Sequence, residues 1–135
     1  MPEFTGHYRQ EFFRDARALR FQGDVLYPLA SEHIDDMINL TRKLLERGYA
    51  YEKLRSVYFD ISRFKDYGRL SGVDLSKIRV GKTVDLDEYA KENPRDFTLL
   101  KRAKLAELKK GLYYTTPWGQ VRPSWHLESA AMALK

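Results

Sequence analysis

Between Pro117 and Met132 the chain gathers residue types that do chemistry: Trp118, Trp125, His126, Glu128 and Ser129, entered through Gly119 and Pro123. A loop bearing glycine and proline that opens into a helix leaves backbone N–H groups exposed. Such a helix start favours anions, and a tryptophan next to a histidine can wall a small-molecule pocket. On physical grounds alone the plainer reading is preferred. Trp125 and Leu127 are then core residues of a helix, and Glu128 is a solvated charge in its first turn.

Other candidate chemistry is thinner. Gly81-Lys82-Thr83 resembles the end of a phosphate-binding P-loop, but the glycine required five positions earlier is replaced by Ser76. The three histidines, His7, His33 and His126, have no second histidine at metal-ligand spacing. Ser31-Glu32-His33-Ile34-Asp35-Asp36 holds possible metal ligands, yet acidic residues at a helix start are better explained by the helix dipole. Tyr67-Gly68-Arg69-Leu70-Ser71 reads as a tight surface turn in which Gly68 takes a positive φ.

Elements must hold these residues in place. Tyr8, Phe12, Ala16 and Leu19 recur at helical spacing and predict a helix over Glu3 to Arg20. Gly23 and Pro28 mark the loop after it. A second helix is predicted from an N-cap at Ser31 to a stop at Gly48. Ile34, Met37, Ile38, Thr41, Leu44 and Leu45 form its buried stripe. Tyr49 to Glu52 and Ser56 to Ile61 predict a hairpin, with Val57, Phe59 and Ile61 alternating against polar neighbours. Asn93-Pro94 breaks the chain before a third strand, Asp96 to Ala103. Gly111 to Arg122 is expected to be a loop, and a last helix runs from Ser124 to the end, with Leu127, Ala131 and Leu134 at helical spacing.

Composition narrows the classes. The chain has 135 residues, room for one domain or one piece of a larger one. An apolar share of 43% and an aromatic share of 13% argue against disorder. The absence of cysteine excludes disulfides, thiolate metal sites and a cysteine nucleophile. No apolar run approaches the ~20 residues of a membrane span, and Met1 to Gln10 has no secretory apolar core, so a cytoplasmic location without membrane partners is expected. The net charge of +5 is interspersed. Its densest stretch, Lys101-Arg102-Ala103-Lys104 and Lys109-Lys110, lacks the interleaved aromatics of a base-stacking platform.

Several ordered segments together resemble one family. They are Ala30-Ser31-Glu32-His33-Ile34, Gly48-Tyr49-Ala50-Tyr51, Ser56-Val57-Tyr58-Phe59-Asp60 and Tyr67-Gly68-Arg69-Leu70-Ser71. They continue with Asn93-Pro94-Arg95-Asp96-Phe97-Thr98-Leu99-Leu100-Lys101, Pro117-Trp118-Gly119 and Arg122 to Met132. In this order they resemble the middle of the cysteinyl-tRNA synthetases, class I aminoacyl-tRNA synthetases. The last motif is also similar to that of the cysteine ligase of mycothiol synthesis.

The resemblance implies an α/β fold: part of a Rossmann-type class I synthetase catalytic fold, incomplete, with helices and a small mixed or antiparallel β insert. Residues 1–48 would be the helical end of the first catalytic half, 49–95 the β-rich connecting insert, and 96–135 the start of the second half. It implies ATP, cysteine and tRNA as substrates and a zinc ion that grips the substrate thiolate. Trp125, His126 and Glu128 would line the amino-acid pocket. Ser129 stands where the family has a zinc-ligating cysteine, and a neutral hydroxyl is a poor zinc ligand. Ser124 replaces a family glycine. The family's HIGH and KMSKS motifs do not occur in this sequence. The chain alone is therefore expected to be inactive, with two further readings. In one it is completed by the missing halves of the catalytic fold; in the other it is a degenerate, non-catalytic relative that binds tRNA or a partner.

Overall fold

The computed structural model describes residues 2–21, 25–72, 93 and 95–135, without the side chains of residues 2–4. The expectations at Gly23, Ser76, Gly81-Lys82-Thr83 and Pro94 lie outside the described residues. Four α-helices occur in that range: α1 (Pro2–Ala18), α2 (Ile34–Glu46), α3 (Leu105–Lys109) and α4 (Trp125–Ala133). The strands are β1 (Ala50–Lys53), β2 (Ser56–Phe59), β3 (Phe97–Arg102), β4 (Tyr114–Thr116) and β5 (Gly119–Pro123). Short 3₁₀ turns at Ala30–Glu32 and Ile61–Arg63 join them.

The strands form one sheet in the order β1-β2-β3-β5-β4, with every neighbouring pair antiparallel. The expected small antiparallel sheet is present, but β3, β4 and β5 lie beyond residue 95, outside the bounds expected of the insert; no parallel, Rossmann-type pairing occurs among the described residues. β3 sits centrally, with Thr98, Leu99 and Leu100 all buried. It pairs on one side with β2 and on the other with β5, so the sheet runs across residue 95. Met37 of α2 and Leu127 and Ala131 of α4 close over Ala50, Val57, Leu99, Leu100 and Val121 to make the core.

Local chemistry explains most boundaries. α2 ends in a left-handed Gly48 (φ 71°), whose N–H bonds to the Leu45 carbonyl while the Tyr49 N–H reaches Leu44. That pair of bonds is the glycine-terminated cap expected of a helix stop. Its start differs from expectation. Ser31 lies inside the 3₁₀ turn, and His33 is the N-cap, with Nδ1 2.9 Å from Asp36 Oδ2 in the first turn. Asp36 Oδ1 also meets the Lys135 ammonium at 2.9 Å, tying the start of α2 to the end of α4. The acidic cluster read from Ser31 to Asp36 is thus an interhelical tie.

Gly111 to Arg122 is not a loop. β4 and β5 form a hairpin there, closed by Pro117-Trp118 and pinned by the Thr116 hydroxyl, which donates to the Gly119 carbonyl (3.0 Å). Pro117 and the short β4 hide the alternation that would have predicted it. α3, five residues long, is too short to show a helical period. Its signals are Glu107, whose carboxylate accepts from the Lys104 N–H (2.7 Å), and Gly111 as its stop (φ 66°).

Two positions stand out energetically. The β1–β2 turn is Leu54-Arg55, with φ of 50° and 63°. Both residues are left-handed, at a cost of about 1–2 kcal/mol each in a turn that favours Asn-Gly. The second is Thr41, whose hydroxyl is fully buried with no hydrogen-bond partner. Thr41→Val replaces that hydroxyl by a methyl of similar size and removes the desolvation penalty. It is expected to stabilise the chain by about 1 kcal/mol, read as a rise in the urea midpoint at constant m. An unchanged or lower midpoint would show that Oγ1 is satisfied in solution.

Candidate active site

β5 delivers the chain into α4, and the junction is well anchored. The Ser124 N–H donates to the Leu99 carbonyl (2.9 Å), and the Ser124 hydroxyl accepts from the Leu127 N–H (3.4 Å). Ser124 thus works as an N-cap, which the glycine of the family pattern could do only through its backbone. Leu127 and Ala131, one turn apart, are buried and fix the rotation of α4 on the sheet.

That rotation decides what the helix displays. Trp125, His126 and Ser129 lie on the exposed side. Trp125 is 84% exposed, so the expectation of a core tryptophan is overturned. With Leu127 and Ala131 turned inward, a residue two positions before Leu127 must point outward. Trp125 and Ser129 share that outer face one turn apart, and His126 stands beside them.

The His126 ring packs on Phe97, with centroids 5.1 Å apart. Phe97 stacks on Phe59 (4.9 Å), its register partner in β2, and Tyr67 lies against both rings. These rings form a floor reaching from the Tyr67-Gly68 turn, where Gly68 has φ 86°, to the start of α4. The positive φ expected at Gly68 is observed. The sequence reading did not single out Phe97 or Phe59 as site residues. Their cue is the two strands' shared register, which is not visible before the strands pair.

Glu128 sits on the flank of α4, half-buried rather than solvated, which corrects the second part of the plain reading. Burial pushes its carboxyl above the ordinary glutamate range, and Arg122 offsets part of that rise. Arg122 itself is held by Glu107 at 2.6 Å, and Glu107 is kept below its ordinary range by the Lys104 N–H and then by Arg122. Asp36 is likewise kept low, by Lys135 and then His33.

These shifts act in opposite directions on stability. The folded chain holds the Glu128 proton to higher pH than the unfolded chain does. Stability from this group therefore falls as pH rises through the interval between the two values. Asp36 and Glu107 contribute stability above their unfolded range and lose it as pH falls through their lowered values. Glu128→Gln should raise the melting temperature near neutral pH and remove the decline. Melting curves of both proteins from about pH 4 to about pH 7 read this directly; parallel curves would show that Glu128 does not titrate in that window.

The whole chain, residues 1–135, matches the family model described as tRNA synthetases class I (C) catalytic domain. The chain belongs to this family. It is 48% identical over 134 residues to the cysteine–tRNA ligase of Methanosarcina mazei, covering 99% of this chain and 28% of that protein. It is 46% identical over 124 residues to the ligase of Pyrococcus abyssi, covering 92% and 25%. It is 44% identical over 133 residues to that of Carboxydothermus hydrogenoformans, covering 98% and 28%. The class I synthetase chain thus spans roughly a quarter of these relatives' length. Among its described residues no helix is long and apolar enough to cross a membrane.

The zinc implied by the family can be tested against the donors present. No group of three or more His, Asp or Glu side chains able to hold a metal occurs among the described residues. Ser129 offers a neutral hydroxyl, and His126 is the one imidazole near it among the described residues of α4. The described residues do not by themselves assemble a zinc site.

Proposed function

We propose that this chain forms the middle of the catalytic region of a cysteine–tRNA ligase, an enzyme that activates cysteine with ATP and transfers it to tRNA. The observation that carries the reading is the outer face of α4. Trp125, His126 and Ser129 stand together there, His126 against the Phe97 ring, held by residues packed on the opposite face. An exposed tryptophan beside a histidine is a costly surface unless something covers it, and an amino-acid side chain bound there would do so. Glu128 would stand at the edge of that pocket.

Residues 1–48, 49–95 and 96–135 would be the end of the first Rossmann-type half, the connecting insert and the start of the second half. In a complete enzyme the flanking parts would supply the ATP-binding groups. Stabilising the ATP phosphates depends on cationic and backbone groups already in position, and the HIGH and KMSKS motifs that carry them in the family do not occur in this sequence. The 135-residue chain alone should therefore show no cysteine-dependent ATP–pyrophosphate exchange. A cytoplasmic location goes with this activity.

Exchanging this chain for the matching segment of the Methanosarcina mazei ligase tests the assignment. The chimera is expected to charge tRNA with cysteine, and Trp125→Ala in it to raise the KM for cysteine. A cooperatively folded chimera with no cysteine-dependent exchange, with or without Ser129→Cys, would overturn the reading. Ser129 favours a second reading, a degenerate relative that binds tRNA or a partner without catalysis. That chain would leave the chimera folded and silent.

A further inference from the structure

Six carboxylates among the described residues are partly or fully withdrawn from solvent: Glu11, Asp36, Asp60, Asp96, Glu107 and Glu128. Five of them have partners. Arg14 meets Glu11, His33 and Lys135 meet Asp36, and Arg63 and the Ser62 N–H meet Asp60. The Tyr51 hydroxyl and the Ile61 N–H donate to Asp96, and Arg122 and the Lys104 N–H donate to Glu107. Glu128 differs from all five. Arg122 acts on it through its charge alone, and no hydrogen bond reaches its carboxylate from the described residues.

A carboxylate removed from water without a partner costs stability. The remedy closest to hand is withheld. Arg122 lies on β5, just before α4, but its guanidinium is held by Glu107 at 2.6 Å. Glu107 is itself fixed by the Lys104 N–H at 2.7 Å. The fold therefore leaves Glu128 open to a cation from outside the described residues.

The neighbour on α4 says which cation fits. Trp125 stands three residues before Glu128 and is largely exposed. Side chains three apart on a helix are surface neighbours. The buried Leu127 between them turns inward, so neither can leave this side of the helix without unpacking α4. An aromatic face beside a carboxylate recognises an alkylammonium: the ring quadrupole attracts the charge, and the carboxylate accepts the N–H groups.

We propose that Glu128, with the Trp125 ring beside it, binds the α-ammonium of the amino-acid substrate. The choice of this ammonium over any other rests on the ligase reading above. The reacting carboxyl is one carbon away from the ammonium, so an anchor there orients the carboxyl without touching it. The ammonium takes no part in activation. Its contact with Glu128 is the same before and during the reaction, and its loss appears in KM rather than kcat.

Cysteine-dependent ATP–pyrophosphate exchange by the Methanosarcina chimera tests the proposal. Glu128→Gln should raise the KM for cysteine about 10- to 100-fold, as expected for a hydrogen bond to a charged group, and change kcat less than about threefold. Glu128→Asp should recover part of the loss. Two competitive inhibitors separate recognition from folding. Cysteamine keeps the ammonium and lacks the carboxylate; 3-mercaptopropionate keeps the carboxylate and lacks the ammonium. With Glu128→Gln, cysteamine should inhibit at least about tenfold more weakly, and 3-mercaptopropionate should stay within about threefold of the parent. A merely structural role would weaken both alike and lower the melting temperature, whereas Glu128→Gln is expected to melt higher near neutral pH.

An unchanged KM overturns the proposal. So does an equal loss for the two inhibitors, which would mean that Glu128 pairs with a basic group of the surrounding protein. A silent chimera overturns the ligase reading, and the 135-residue chain then decides the site by itself. Its melting temperature should rise in about 10 mM cysteamine but not in 3-mercaptopropionate, and Glu128→Gln should remove the rise. The chain has no cysteine, so neither thiol can form a mixed disulfide with it. A chain that cysteamine does not stabilise would then overturn the ammonium site as well.

Discussion

Asp96→Ala is expected to remove about 3–5 kcal/mol of stability, a large part of the 5–15 kcal/mol typical of a domain. The Asp96 carboxylate is 2% exposed and accepts from the Tyr51 hydroxyl at 2.8 Å and from the Ile61 N–H at 3.1 Å. It thereby joins β1, the 3₁₀ turn after β2, and the entrance to β3. Alanine leaves a buried N–H and a phenol without their acceptor, and each such orphan costs about 1–3 kcal/mol. Asp96→Asn keeps one acceptor oxygen and should cost about 1–2 kcal/mol, and Tyr51→Phe about 1 kcal/mol. Urea melts at constant m measure all three; Asp96→Ala within about 1 kcal/mol of the parent would mean that water replaces the carboxylate. Because β3 also carries Phe97, loss of this anchor should loosen the floor beneath His126 before the rest of the core.

Ser129→Cys in the Methanosarcina chimera is expected to produce the largest functional change. Ser129 is exposed on the outer face of α4, beside Trp125 and His126. A cysteine there would present a thiolate, the soft donor that zinc prefers, where the present hydroxyl is neutral and hard. Metal retained after dialysis should rise by more than the ~10–100-fold typically lost when an outer partner of a metal ligand is removed. The choice of cysteine over serine in the exchange reaction should sharpen alongside it. Equal zinc content in the two chimeras would show that this position is not a metal ligand in this chain. The same substitution in the 135-residue chain should have little effect on metal content, because no three-ligand group exists among its described residues.

How much of this was legible in the sequence differs by element. α2 was readable because its signals are local: a dense 3.6-residue stripe, acidic residues early, basic residues late and Gly48 at the end. The β1–β2 hairpin and β3 followed from alternation and from the break at Asn93. The β4–β5 hairpin was missed because β4 is a three-residue strand with mostly exposed side chains, which leaves no alternation to read. α3 was missed because five residues cannot show a period, and only its cap residues mark it.

The candidate site divides the same way. Its residue types and its helix were set by the sequence alone: Ser124 as cap, and Trp125, His126, Glu128 and Ser129 within a turn of one another. Membership in the class I synthetase family was also legible, because ordered motifs survive without any knowledge of packing. Tertiary structure decided which way these residues face. Trp125 was expected inside and stands outside, because Leu127 and Ala131 bury more efficiently against Leu99, Leu100 and Val121 and take the inward side of α4. Packing also placed Phe97 under His126 and confined Glu128. Each of these depends on strand register and helix rotation, which are fixed by contacts between residues far apart in the chain. Local pattern reports which side of an element is apolar, but only the fit between elements determines which polar groups share a site.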